Sequence, residues 1–301
     1  MRKAYMIFAY KDEKKVKRLV SSLNYNCDFF IHLDKKADIT VFKNELKGFE
    51  NVHFTERRYN VCWGGWSQVQ AIMEMLIAAS SFSREYSHII LITETDYPIK
   101  NNLDIEQYLT EHNNSEFVLA YNYRKSSEKL KTARCWWFDY PIRNHKLWHF
   151  VSSAINKLIL RWIPKKDYCY LDGVKTDPWF GQMLFAVTPT CAEYIINVYR
   201  KDKKFNRYMR TVYTPCELYY QTIVFNSPFR NNTISGGKEQ EWTKDFSWAP
   251  LHYYDYKEDI KVFDESNLEE LLQSGKLFFR KAVSGRSDTL MDVLDQRRKQ
   301  K

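Results

Sequence analysis

Residues 88–100 read HIILITETDYPIK, and the first half of that stretch decides what kind of sheet the chain builds. His88 to Ile92 is a short apolar run rich in β-branched residues, without polar-apolar alternation. A run of that length, ended by turn residues, predicts a strand covered on both faces. Glu94, Thr95 and Asp96 follow, then Tyr97 and Pro98. Two carboxylates one residue apart, where a buried strand runs out, have three readings. They could hold a metal ion, position a polar ligand, or start a turn.

Upstream, strands and helices alternate. AYMIFAY, CDFFIHLD and NVHFTE read as strands. KDEKKVKRLVSSL, ITVFKNELK and WGGWSQVQAIMEMLIAA read as helices, the first with Val16, Leu19, Val20 and Leu23 on one face. Ser67 and Gln70 have the spacing of a capping box. Repeated strand-helix units with buried strands predict a mostly parallel sheet with helices on both faces. Ligands of such sheets bind at the carboxyl ends of the strands. Tyr10-Lys11, Asp34-Lys35 and Glu94-Asp96 all fall at such ends, on one rim.

Downstream, EFVLAY and GQMLFAVT read as strands, PTCAEYIINVYR and TPCELYYQTIVFN as helices, and residues 231–250 as a mobile loop. NLEELLQSG is a short helix stopped by Gly275. DQRRKQK reads as a disordered tail. From 147 to 162, Leu147, Phe150, Val151, Ala154, Ile155, Leu158, Ile159 and Trp162 follow helical spacing, with Lys and Arg around the stripe. The whole stretch 143–166 has the pattern of a helix lying in a membrane interface, or of a core helix with a basic flank.

The formal charge of +9 favours an anionic partner. No RNP-like, KH, helix-turn-helix or zinc-finger pattern supports nucleic acid. The six cysteines form no CxxC pair, so neither a zinc site nor a dense disulfide framework is expected. No stretch reaches the roughly 18 apolar residues of a membrane span. The expectation is a soluble protein in a reducing cytoplasm, with peripheral contact at the inner membrane face. The 21 Tyr, 19 Phe and 9 Trp suit a carbohydrate or nucleotide site, although most must be core.

Seven stretches, in order and spacing, resemble the core-2/I-branching β-1,6-N-acetylglucosaminyltransferase family, which includes peptide O-xylosyltransferases and bacterial members. They are AYMIFAYKDEKKVKRLVSSL, FFIHLDKKAD, WGGWSQVQAIMEML, HIILITETDYPIK, GQMLFAVTPTCAEYII, TPCELYYQTI and NLEELLQSGKLFFRK, running from about residue 4 to 283. The resemblance implies a GT-A-type, Rossmann-like α/β fold, a UDP-sugar donor, inversion at the anomeric carbon, and no required metal. It also implies a single domain over 1–301, with a nucleotide-sugar-binding half at 1–110 and an acceptor-binding, catalytic half at 111–283. A basic C-terminal tail fills 284–301. The first donor to consider is UDP-GlcNAc, with UDP-xylose, UDP-glucose and UDP-galactose open. The acceptor is a glycan hydroxyl, with a lipid-linked bacterial glycan fitting best.

Residue by residue, the resemblance implies that Glu217, in Thr-Pro-Cys-Glu, is the general base, because a carboxylate in reach can take the acceptor's proton. Thr-x-x-Glu before an apolar run is equally a capping box. Lys281 aligns with the lysine that neutralises the diphosphate, and Arg280 could share the task. The family's second basic residue lands on Glu258, leaving Lys257 or Lys261 as substitutes. Asp34 matches the aspartate that meets the uracil or ribose, and Ala9-Tyr10-Lys11 the segment along the base. The Gly64-Gly65 pair could present amides to an anion, or simply turn. Asp96 is implied to position the donor sugar. Glu94 stands where the family usually has glycine, so Glu94 and Asp96 together leave a manganese- or magnesium-dependent variant as an alternative. An inactive sugar-binding homologue is the other.

Overall fold

The computed structural model describes residues 1–82, 85–125, 146–159, 167–241, 249–256 and 259–299. Its centre is a five-stranded sheet. Four strands come from the first third of the chain: β1 (Lys3–Ala9), β2 (Cys27–Leu33), β3 (Val52–Phe54) and β4 (Ile89–Thr93). Between them run α1 (Glu13–Leu23), α2 (Ile39–Glu45) and α3 (Trp66–Ser81). Strand β1 pairs in parallel with both β2 and β4, and β2 in parallel with β3. After β4 come β5 (Asp96–Pro98), α4 (Asn102–Glu111), β6 (Tyr121–Asn122) and α5 (Lys146–Ile159). A hairpin of β7 (Cys169–Leu171) and β8 (Val174–Thr176) leads to β9 (Trp179–Phe180) and then β10 (Ala186–Val187). Strand β10 closes the sheet, antiparallel to β4, in the order β10-β4-β1-β2-β3.

The remaining helices are α6 (Pro189–Lys201), α7 (Lys203–Met209), α8 (Tyr219–Phe225), α9 (Leu268–Gln273) and α10 (Asp288–Lys299). Successive side chains of a strand point to opposite faces, so the apolar runs feed two cores. Ala4, Met6, Phe30, Ile89 and Leu91 join α3, α6, α7 and α8 in one. Tyr5, Ile7, Ala9, Phe29, Ile31, Leu33, Ile90 and Ile92 join α1, α2, α4, α9 and α10 in the other. The mostly parallel sheet with helices on both faces is the architecture the strand composition predicts. A second sheet sets β12 (Phe278–Arg280) between β11 (His252–Tyr253), parallel to it, and β5, antiparallel to it.

Several local expectations are corrected. EFVLAY is not a continuous strand: Val118 N turns back to Glu116 O at 2.9 Å, leaving isolated bridges at Glu116 and Phe117 before β6. GQMLFAVT contributes only β10, and its Gly181 lies against the Leu119 carbonyl, where an added Cβ would sit 2.1 Å away. The cap of α3 is Gly65, and no side chain caps it. Ser67 Oγ instead accepts from Cys62 N (2.9 Å), and Gln68 Oε1 from Gly64 N (2.8 Å), so both fasten the Trp-Gly-Gly turn. Residues 231–241 are ordered turns around Gly236 and Gly237, both at positive φ; 242–248 lie outside the described residues. The tail is a helix through Lys299, because Leu290, Met291 and Leu294 bury one side of α10.

Candidate active site

Three strand ends meet on one rim. Asp34 N donates to Ala9 O at 2.9 Å, and Glu94 N to Phe8 O at 3.1 Å, so the ends of β2 and β4 close on that of β1. Glu94 fastens the loop that follows: its Oε2 accepts from Tyr10 N (2.7 Å) and Lys11 N (2.9 Å). The Lys15 ammonium, in the first turn of α1, donates to the Glu94 carbonyl. Burial pushes the Glu94 carboxyl up and the Lys15 ammonium down to about 8. Glu94 Oε1 is buried without a hydrogen-bond partner among the described residues. Lys15 was missed in the sequence reading. The signal was available: it sits four residues before Leu19, on the inward face of α1.

Asp34 serves its own turn. Its Oδ1 accepts from Lys36 N (2.9 Å) and its Oδ2 from Val61 N (3.3 Å). Arg58, also missed, holds the same turn through the carbonyls of Leu33 (2.9 Å) and Asp34 (2.7 Å). The Tyr10 ring, by contrast, is exposed at the rim, with the Lys11 ammonium 5.0 Å from its centroid. The Gly64 amide is taken by Gln68 and the Gly65 amide by Cys62 O (3.0 Å). The glycine pair is therefore a turn and presents no free amides for an anion.

The second cluster forms where β5 and β12 run antiparallel with Arg280 opposite Asp96. Asp96 is fully buried. Its Oδ1 accepts from Arg280 Nη1 at 3.0 Å and its Oδ2 from Thr93 N at 2.6 Å. His252 Nε2 lies 3.5 Å from Oδ2. Arg280 also donates to Thr93 Oγ1. Burial pushes the Asp96 carboxyl up, but the Arg280 charge and His252 outweigh it and hold the group down at about 2. A charge desolvated in this way is stable only because it is paired and hydrogen-bonded. Lys281 follows directly, half-buried, its amide donating to Lys261 O (3.3 Å) and its carbonyl accepting from Phe263 N (3.1 Å). The Lys261 ammonium pairs with Glu270 Oε2 at 3.3 Å. Lys257 lies outside the described residues.

Glu94 and Asp96 do not fit a divalent cation. Glu94 Oε2 and both Asp96 oxygens already accept from protein donors, and a cation would have to displace Arg280. Among the described residues, no group of three or more His, Cys, Asp or Glu side chains could hold a metal.

Glu217 closes a 3-10 turn, Pro215–Glu217, ahead of α8. Thr214 does not cap that turn through its side chain; its Oγ1 has two acceptors in reach instead, Tyr213 O at 2.8 Å and Glu217 Oε2 at 3.0 Å. Thr214, with φ of 51°, ties the turn to the Trp-Gly-Gly segment through its amide and Gly64 O (2.9 Å). Gly181 N donates to Glu217 O (2.9 Å) from the other side. Glu217 and Arg280 both lie within electrostatic reach of the Tyr254 hydroxyl. Burial pushes that buried phenol up, the Glu217 charge adds to the rise, and Arg280 opposes it. Both charges thus act on one ring. Trp63, 46% exposed, meets Tyr213 edge-on at 5.9 Å beside this turn. The arrangement offers a carboxylate, a fixed guanidinium with a lysine next to it, and aromatic faces, the groups that proton removal and anion neutralisation require.

Residues 3–255 match the family model described as Core-2/I-Branching enzyme. The chain is similar to Xylosyltransferase sqv-6 of Caenorhabditis briggsae, 25% identical over 304 residues, covering 94% of this chain and 34% of that protein. It is similar to Xylosyltransferase 2 of Rattus norvegicus, 23% identical over 314 residues, covering 98% of this chain and 33% of the relative. It is also similar to the Homo sapiens beta-1,3-galactosyl-O-glycosyl-glycoprotein beta-1,6-N-acetylglucosaminyltransferase. There the identity is 24% over 224 residues, 73% of this chain and 47% of the relative. The chain spans a third to a half of the length of these curated relatives.

Proposed function

Since this chain belongs to the Core-2/I-branching enzyme family, we propose that it transfers a sugar from a nucleoside diphosphate to a hydroxyl of a glycan acceptor. UDP-GlcNAc and UDP-xylose are the first donors to test, because relatives are named for those sugars. The acceptor oxygen attacks the anomeric carbon from the face opposite the leaving group. Its proton passes to the Glu217 carboxylate, the bond from the anomeric carbon to the phosphate oxygen breaks with its electron pair, and UDP departs with inversion. Lys281 and Arg280 neutralise the departing diphosphate, so no metal takes part. Asp96 holds Arg280 in place, and the rim of Ala9, Tyr10 and Asp34 receives the nucleoside. A lipid-linked glycan at the inner membrane face suits an enzyme with this basic surface.

The observation that carries the reading is the Arg280 guanidinium held 3.0 Å from the buried Asp96 carboxylate, with Lys281 next to it in sequence, a fixed cationic site suited to a diphosphate. A ligand that binds only the folded chain raises its stability by mass action. The test is therefore thermal unfolding with a panel of nucleotide sugars, each with and without EDTA, followed by donor hydrolysis. Stabilisation by one UDP-sugar, unchanged by EDTA and accompanied by turnover, supports the proposal. Loss of stabilisation in EDTA points to a metal-dependent enzyme instead. Sugar binding without hydrolysis points to an inactive homologue.

A further inference from the structure

Helix α5 turns its apolar stripe outward. Leu147 and Phe150 are each 72% exposed and Leu158 is 70% exposed, with Ile159 beside them. Val151, Ala154 and Ile155 are half-buried. These positions recur at intervals of three and four, so they form one side of the helix. A helix of a globular protein ordinarily buries that side, and a contiguous apolar patch left in water marks a site for a membrane or a partner.

The charge of the stretch chooses between occupants. Residues 140–166 contain six basic residues (Arg143, Lys146, Lys157, Arg161, Lys165 and Lys166) and not one Asp or Glu. Lys157 is exposed and falls next to Phe150 around the helix. Trp148 and Trp162 belong to the same stretch, and indole is the side chain favoured at the boundary of water and hydrocarbon. No helix among the described residues is long and apolar enough to cross a membrane. An outward apolar stripe in a stretch whose sequence is basic and free of acids is the attribute of a helix that lies in the interface.

We propose that α5 docks this protein on an anionic lipid surface, with Leu147, Phe150 and Leu158 entering the boundary of headgroups and acyl chains. The basic residues of the stretch supply attraction to the headgroup phosphates. This goes beyond glycosyl transfer and does not depend on it.

The test is sedimentation of the full chain with vesicles of phosphatidylcholine mixed with phosphatidylglycerol, and of phosphatidylcholine alone. The wild type is expected to sediment with the anionic vesicles at low salt, less so at high salt, and to stay in solution with the neutral ones. Phe150→Asp with Leu158→Asp should cut the bound-to-free ratio at least about tenfold. Replacing Lys157, Arg161, Lys165 and Lys166 together with Gln should weaken binding and flatten its salt dependence. Circular dichroism and stabilisation by UDP-sugar, unchanged in both variants, establish that the fold and the donor site are intact. Wild type left in the supernatant with anionic vesicles at low salt overturns the proposal, as do variants that sediment like the wild type. Light scattering that finds a dimer broken by the double Asp variant, with no vesicle binding, assigns the face to a second copy of the chain and overturns it too.

Discussion

Arg280 Nη1 stands 3.0 Å from Asp96 Oδ1, and the two residues are direct partners across the antiparallel pair of β5 and β12. They are separated by 184 positions in sequence, so the pair exists only when the chain has closed on itself. It fixes a guanidinium at the edge of the candidate site and supplies the charge that keeps Asp96 ionised while fully buried.

Asp96 gives a pH signature. Its folded value, about 2, lies below its ordinary 3.8, so the unfolded chain binds the proton more tightly. The stabilisation is complete above pH 4 and is lost as pH falls towards 2, an effect of about 2–3 kcal/mol. Asp96→Asn lacks this titration. Urea unfolding at pH 7 and again near pH 3 should find the gap between wild type and variant narrowing in acid. A constant gap would remove the ionised pair.

Lys15 behaves in the opposite sense. Burial lowers its folded value to about 8 from 10.5, so the cost of holding the charged amine is fully present below pH 8 and disappears as pH rises to the unfolded value. Relative to Lys15→Met, wild-type stability should rise by up to roughly 3 kcal/mol between pH 7 and pH 10.5. Paired denaturant titrations at those two pH values measure it, and parallel curves would mean that Lys15 is solvated.

Glu217→Gln keeps the shape of the 3-10 turn and removes the carboxylate proposed as the base. Turnover should fall roughly a hundredfold or more while UDP still binds. Single-turnover kinetics beside calorimetry separate the two quantities. Near-normal turnover in the folded variant would leave Glu217 only its bond to Thr214.

Lys281→Ala tests the diphosphate. Each charge-assisted hydrogen bond lost should weaken UDP binding by roughly 1.5–3 kcal/mol. Uridine, which lacks phosphates, should bind the two forms alike. Equal affinity of wild type and variant for UDP takes Lys281 out of the site.

Local pattern carried the sheet and most of the helices. Strands β1, β2 and β4 are mostly apolar and buried along their length except at Phe8, which is why composition alone pointed to a sheet covered on both faces. The errors fall where a distant partner overrides a local rule. Ser67 has the spacing of a cap, yet its hydroxyl is drawn to Cys62 across the turn. Thr214 and Glu217 have the same spacing, and the hydroxyl turns to the Tyr213 carbonyl and the Glu217 carboxylate rather than to a backbone amide. Glu94 looked like a ligand group because nothing nearby in sequence reveals that Tyr10 and Lys11 amides occupy it. In α10 the apolar spacing of Leu290, Met291 and Leu294 was legible, but the basic run behind it was read as a tail.

That last helix also fastens the strand carrying Asp96. Asp295 accepts from the Tyr97 hydroxyl (2.8 Å) and from Arg18 Nη2 (2.7 Å), and Arg298 donates to the Pro98 carbonyl. Residues 288–299 leave the ribosome after every other described element. The nascent chain can complete its parallel sheet before the brace behind Asp96 has been made. A ribosome stalled before residue 288 would therefore present a folded sheet whose Asp96 strand lacks its brace.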